Sequence, residues 1–307
     1  MTGQLPTLYI IGAPKCGTTS LAQYVSEHPH AFVGYPKEPS YWSTDIGSTG
    51  SVAVVDSEDA YRRIYRRALD GQVCLDASTD YLRSRVAIPR ICAAVPDARF
   101  IVALRNPVDI AHAYHMEMIF NSVENESDFR AAWELQPVRA TGRRLPAGAT
   151  DPNELQYRSI ASIGSQLARA SELIPNDRLL VVFHDDLQQR PRTVWEEIQD
   201  FAELPRDGRL SFPAEGSSHF HRFPTIAGLY QTPPPILAAP VRAGKRLVRA
   251  QRSGVVNRTV TRLLVRRSAR EPLDPDFAAR LRHEFDAEVS LVESLTGRDL
   301  SSWRTAS

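Results

Sequence analysis

Three short runs of unbroken apolar residues stand out along the chain: 8–11 (LYII), 100–104 (FIVAL) and the body of 178–183 (RLLVVF). Runs of this length, rich in β-branched residues and without alternation, fit strands buried on both faces of a parallel sheet. Between and beyond them apolar positions recur at three and four, the spacing of one helix face. Leu21, Tyr24 and Val25 mark a helix over 19–28, which His28-Pro29 ends because a residue before proline leaves the helical region. Tyr61, Ile64 and Tyr65 mark one over 57–69, and Ile163, Leu167, Ala170 and Ile174 one over 160–174. Further helices are predicted over 86–95, from 105 through 119 with Pro107 in the first turn, over 191–201, and from 275 to 295. Strands alternating with helices predict an α/β fold, a mostly parallel central sheet flanked by helices, in one domain spanning 1–307. Residues 121–157, with Gly142, Pro146 and the Gly-Ala-Thr-Asp-Pro stretch, are expected to form a loop-rich insertion.

Composition changes this picture little, and charge changes it in one place. The 307 residues are 42% hydrophobic and 24% charged, ordinary for a globular protein. No run of about eighteen apolar residues predicts a membrane span. The start MTGQLPT has no basic region followed by a long apolar stretch, so a cytoplasmic protein is expected. Cys16, Cys74 and Cys92 lack the close spacing of a zinc site or a disulfide framework, and no metal is expected. The net charge is +1, yet 216–270 holds eleven Lys/Arg and no Asp or Glu. Within it, 241–270 reads as one or two basic amphipathic helices. Three readings stay open for them: a solvated helix packed on the body, a basic wall for an anionic ligand, or a helix lying on a membrane surface. Nucleic-acid binding is disfavoured, because no recognised motif or set of aromatics accompanies the charge. Oligomeric state is left undetermined.

The densest chemistry lies in 8–21, LYIIGAPKCGTTSL. Gly12 and Gly17 bracket a tight loop, and Thr18, Thr19 and Ser20 bring hydroxyls to the entrance of a helix. Backbone amides converging at a helix N-terminus make an anion site. In the nucleotide-triphosphate loop the lysine follows the second glycine; here Thr18 does, and Lys15 lies inside the loop. Pro-Lys-x-Gly-Thr-Thr-x-Leu after a first strand resembles the 5′-phosphosulfate loop of the sulfotransferases that use 3′-phosphoadenosine-5′-phosphosulfate (PAPS).

Four further stretches are similar to that family. Lys37-Glu38-Pro39, followed by Tyr41 and Trp42, resembles the Lys-Glu-Pro segment of members acting on glycan hydroxyls, where the glutamate is the general base. Arg105-Asn106-Pro107-Val108-Asp109, at the end of an apolar run, resembles the 3′-phosphate motif; an arginine fork suits phosphate. Gly297-Arg298-Asp299-Leu300-Ser301-Ser302-Trp303 is similar to the family's C-terminal tail. Asp76, Ser78 and Tyr81 stand where the family has Gly-Glu-x-Ser/Thr-Pro-x-Tyr, with Thr79 in place of the proline; for Asp76 a buried strand end is the alternative.

The resemblance implies the P-loop-like sulfotransferase fold and transfer of a sulfuryl group from PAPS to a hydroxyl of a glycan, glycolipid or small molecule, releasing adenosine 3′,5′-bisphosphate. It assigns Glu38 as base and Lys15 to the leaving oxygen. Lys15, Cys16, Gly17, Thr18, Thr19 and Ser20 would hold the 5′ end, and Arg105, joined by Arg222, the 3′-phosphate. The family's serine eight residues after the arginine is Ala113 here, so His115 or Arg222 is a candidate substitute. The rivals are a P-loop phosphotransferase or NTPase, with Asp185 and Asp186 on magnesium, and an inactive nucleotide-binding module.

Overall fold

A computed structural model describes residues 3–46, 55–213 and 272–305, together with the backbone of 219–221 and 265–267. Five strands form one parallel sheet: β1 (Leu8–Gly12), β2 (Ala31–Val33), β3 (Val73–Asp76), β4 (Arg99–Leu104) and β5 (Leu179–Phe183), in spatial order β2-β3-β1-β4-β5. β1 lies at the centre and every one of its residues is buried, which is why it reads as an unbroken apolar run. It pairs with β3 (Leu8 opposite Leu75) and with β4 (Leu8 opposite Arg99), and its register against β4 shifts between Ile10 and Gly12.

The helices between strands are α1 (Thr18–Ser26), α2 (Glu58–Ile64), α3 (Ala87–Ala94) and α4 (Pro107–Phe120). Ser57 caps α2 through the Ala60 amide and Asn106 caps α4 through the Val108 amide, with Pro107 in the first turn as expected. The chain leaves β1 toward one edge and later crosses to β4 on the other side. The loops after β1, β3 and β4 therefore meet at the carboxyl end of the sheet, where open α/β sheets bind ligands.

Residues 121–157 differ from the loop-rich expectation. They hold α5 (Phe129–Glu134), α6 (Gln136–Ala140), a 3₁₀ turn at Pro152–Leu155 and the start of α7 (Tyr157–Ala161). Phe129, Trp133, Leu155 and Tyr157 are buried. Each helix is too short to show a 3.6-residue period, so the sequence there reads as irregular. The pieces are held by tertiary contacts, chiefly Arg139 on Glu124, both buried.

The predicted 160–174 helix divides between α7 and α8 (Ile163–Leu173). After β5 come α9 (His184–Gln189) and α10 (Pro191–Phe201). In the basic segment, β6 (His219–His221) pairs antiparallel with β7 (Val265–Arg267). Val265–Arg267 is thus strand where helix was expected; its partner lies some forty residues earlier, beyond the reach of local periodicity. The rest of 241–270, and Arg222, lie outside the described residues. The predicted last helix is two, α11 (Pro275–Glu284) and α12 (Asp286–Thr296), the second closed by Gly297 at φ 68°.

Candidate active site

The loop after β1 enters α1 through Gly17, at φ 89°. The positive φ favours glycine there, and a Cβ would stand 2.7 Å from the Leu187 Cδ2 methyl, which would have to shift. Among the described residues no side chain caps α1. The amides of its first turn stand at the positive end of the helix, an arrangement fit for an anion. Thr18 and Ser20 are buried and Thr19 is exposed. Cys16 turns its thiol into the core, where Sγ donates to the Pro14 carbonyl at 3.5 Å and burial pushes its pKa well up. Only its backbone faces the loop chemistry.

Arg105 follows β4 and donates through Nη1 to the Lys15 carbonyl at 3.4 Å. That bond holds Lys15 in its left-handed conformation (φ 63°) and ties the first loop to the third. Both cations rest on acids of α4: Lys15 Nζ is 3.5 Å from Glu117, and Arg105 pairs with Asp109 at 3.1 Å. An incoming anion would replace these carboxylates.

Glu38 approaches from the loop after β2. Lys37 Nζ donates to its Oε1 at 2.6 Å and Thr79 Oγ1 to its Oε2 at 3.2 Å. Thr79 also reaches the phosphate loop, since a Cβ on Gly12 would stand 2.8 Å from the Thr79 carbonyl. In the sequence Thr79 shows only as a replaced proline; a hydroxyl beside an acid 41 residues distant leaves no local signal.

Asp76 holds this arrangement from beneath. Fully buried at the end of β3, it accepts from Ser78 Oγ (2.6 Å), Tyr61 (2.7 Å) and Tyr81 (2.9 Å). Each donor in turn receives a group from the Glu38 loop: the Ser40 amide reaches Ser78, the Trp42 amide Tyr81 and the Trp42 indole Tyr61. The strand-end reading of Asp76 and a positioning role thus coincide. Burial raises its pKa to about 6, against the hydrogen bonds, which lower it. Between about pH 4 and pH 6 the folded protein then holds a proton that the unfolded chain has lost, so stability falls as pH rises through that window. Asp76→Asn is expected to remove this slope from urea midpoints measured between pH 4 and 7; an unchanged slope would assign it elsewhere.

The remaining predicted residues divide clearly. His115 is buried against Phe129, its Nε2 is 2.8 Å from the Glu126 carbonyl, and burial lowers its pKa. It is committed to packing and does not replace the missing serine hydroxyl; Ala113 is itself buried. Asp185 takes the Trp303 indole at 3.3 Å, and Asp186 takes the Arg298 fork and Arg190. Burial would raise the Asp186 pKa, but these arginines outweigh it and hold it low. The acids of the NTPase reading are therefore the anchor of the C-terminal tail. Asn106 adds a bond to the Trp303 carbonyl at 3.1 Å, so the tail braces the loops after β4 and β5.

A parallel α/β sheet with an uncapped, glycine-entered helix at its switch point, flanked by a lysine, an arginine and a glutamate, defines a protein that handles an anionic group. The pattern of the sulfotransferase family matches residues 55–208, half of the chain, and the chain belongs to that family. It is 32% identical over 203 residues to human heparan sulfate glucosamine 3-O-sulfotransferase 6, covering 66% of this chain and 54% of that protein. It is 22% identical over 203 residues to bifunctional heparan sulfate N-deacetylase/N-sulfotransferase 1 of Caenorhabditis elegans, 66% of this chain and 22% of that protein. The matches thus span between about a fifth and a half of these relatives. A sulfotransferase from Alicyclobacillus acidocaldarius superposes with a TM-score of 0.72 at 22% identity, covering 98% of this chain and 100% of that one, and shares the fold. Among the described residues no helix is long and apolar enough to cross a membrane.

Proposed function

We propose that the chain transfers a sulfuryl group from PAPS to a hydroxyl of a glycan, the acceptor class that its relatives' names point to. The observation that carries the reading is Thr79, which packs on Gly12 of the phosphate loop while its hydroxyl holds Glu38. One residue links the loop for the activated group to the carboxylate for the acceptor. The N-terminus of α1, with no Cβ at Gly17, fits the 5′-phosphosulfate.

When bound, PAPS supplies a sulfuryl group whose bond to the 5′-phosphate oxygen breaks as the acceptor oxygen bonds to sulfur. Glu38 takes the acceptor's proton, turning a poor nucleophile into a competent one. Lys15 and the amides of Cys16–Thr19 offset the charge that develops on the departing phosphate, a preorganised electrostatic contribution, with Ser20 supporting the turn behind them. Arg105 engages the 3′-phosphate in exchange for Asp109, and in this reading Arg222 completes that end. No step calls on a metal.

Binding measured by calorimetry should favour adenosine 3′,5′-bisphosphate over ATP with magnesium, and incubation with PAPS and a glycan panel should add the mass of one SO₃ unit to an acceptor. The reverse nucleotide preference would sink the proposal.

A further inference from the structure

A second cationic site lies beyond the turn that walls the phosphate loop. A cavity of about 610 Å³ is lined by Arg83, Arg85, Arg158, Arg169 and Arg280, with Glu134, Trp133 and several Ser and Gln residues. Two of these arginines are neutralised: Arg280 pairs with Glu134 at 2.5 Å and with Glu284 at 2.8 Å, and Arg158 also pairs with Glu284. Arg83, Arg85 and Arg169 make no ion pair among the described residues.

Arg169 is the telling member. Its Nη2 donates to the carbonyls of Leu82 (2.7 Å) and Arg83 (3.1 Å), but its Nε–H is buried without a partner among the described residues. A buried unpaired donor on a charged group is costly, and here that group lines a cavity with two further guanidiniums. Burial first, and then the charge of Arg85, lower the Arg169 pKa, so the two cations repel where they stand. Arg169 is anchored on the same Leu82 whose amide donates to the Ile11 carbonyl at the end of β1. The cavity therefore backs directly onto the turn next to the candidate active site.

We infer that the Arg83, Arg85 and Arg169 cavity is a second anion site, built for a carboxylate or sulfate oxyanion. An oxyanion there would lie among the guanidiniums that line the cavity and offset their mutual repulsion, and their planar forks suit it. Identifying that oxyanion with an acidic group on the acceptor rests on the sulfuryl-transfer reading; the site itself does not.

The test is calorimetric titration of the full chain with inorganic sulfate, glucose 6-sulfate, glucuronate and glucose, repeated on Arg85→Ser and Arg169→Met. Arg85 is exposed and, among the described residues, bonds only through its backbone amide, to Asp45, so Arg85→Ser should fold normally. Loss of a charge-assisted hydrogen bond predicts about tenfold or greater weakening in each variant. Tighter binding of the acidic sugars than of sulfate assigns the site to an acidic acceptor, and equal binding assigns it to the free ion; both support the inference. Binding of none of the anions, or binding unchanged in Arg85→Ser, overturns it. The readout needs neither turnover nor nucleotide, so failure here and failure of the proposed reaction are distinguished.

Discussion

Glu38→Gln should lower turnover by about 10²–10⁴-fold, the usual contribution of a positioned general base. Binding of adenosine 3′,5′-bisphosphate should be unchanged. The amide is close in shape to the carboxylate and still accepts from Thr79, so the loop keeps its place while the proton acceptor is lost. Single-turnover rates and nucleotide affinity, measured on the same preparation, separate chemistry from folding. Normal turnover in this variant would remove Glu38 from the mechanism. Loss of nucleotide binding with turnover would make it a structural residue of the loop.

The second large effect concerns stability. Glu124 and Arg139 have side chains 0% and 1% exposed, and Arg139 Nη2 reaches Glu124 Oε1 at 2.8 Å. The carboxylate also accepts from Tyr157 (2.6 Å) and from the amides of Asn125 and Glu126 (2.8 Å each). Taking one charge from a buried pair leaves the other uncompensated, so Glu124→Gln should cost about 3–5 kcal/mol. That is a large part of the roughly 5–15 kcal/mol by which a folded domain is stable. Burial by itself would raise the Glu124 pKa, but Arg139 and the hydrogen bonds outweigh it and hold it below the carboxylate range. The pair's contribution is therefore complete at neutral pH and is lost as pH falls through that lowered value. Urea unfolding at pH 7 and an acid series on the wild type and Glu124→Gln test both points. A variant as stable as the wild type, with the same acid limb, would show that the pair contributes nothing net.

These two residues differ in how far they could be foreseen. Glu38 stands in a Lys-Glu-Pro segment that is visible in the sequence. Glu124 lies in a stretch read as loop, because α5 and α6 are too short to show a period and their cohesion comes from a buried ion pair. Arg105 is intermediate: its place after an apolar run and its Asp109 partner, four residues on, are local, but its bond to the Lys15 carbonyl depends on β1 and β4 lying side by side. The tail shows the same division. Gly297 was legible as a helix stop, whereas the use of Arg298 and Trp303 to occupy Asp186 and Asp185 appears only once α12 has returned the chain to the sheet.

By itself the sequence determined the apolar strands, most of the long helices and the glycine-bracketed loop with its inward lysine. Those features rest on periodicity and on backbone demands acting within a few residues. Only the tertiary structure decided that Thr79 joins the loop to Glu38, that Asp76 supports the Glu38 segment through Ser78, Tyr61 and Tyr81, and that Arg83, Arg85 and Arg169 share a cavity. Those contacts join residues brought together by the order of the strands, and hydrogen bonds and charge act through space, without regard to distance along the chain.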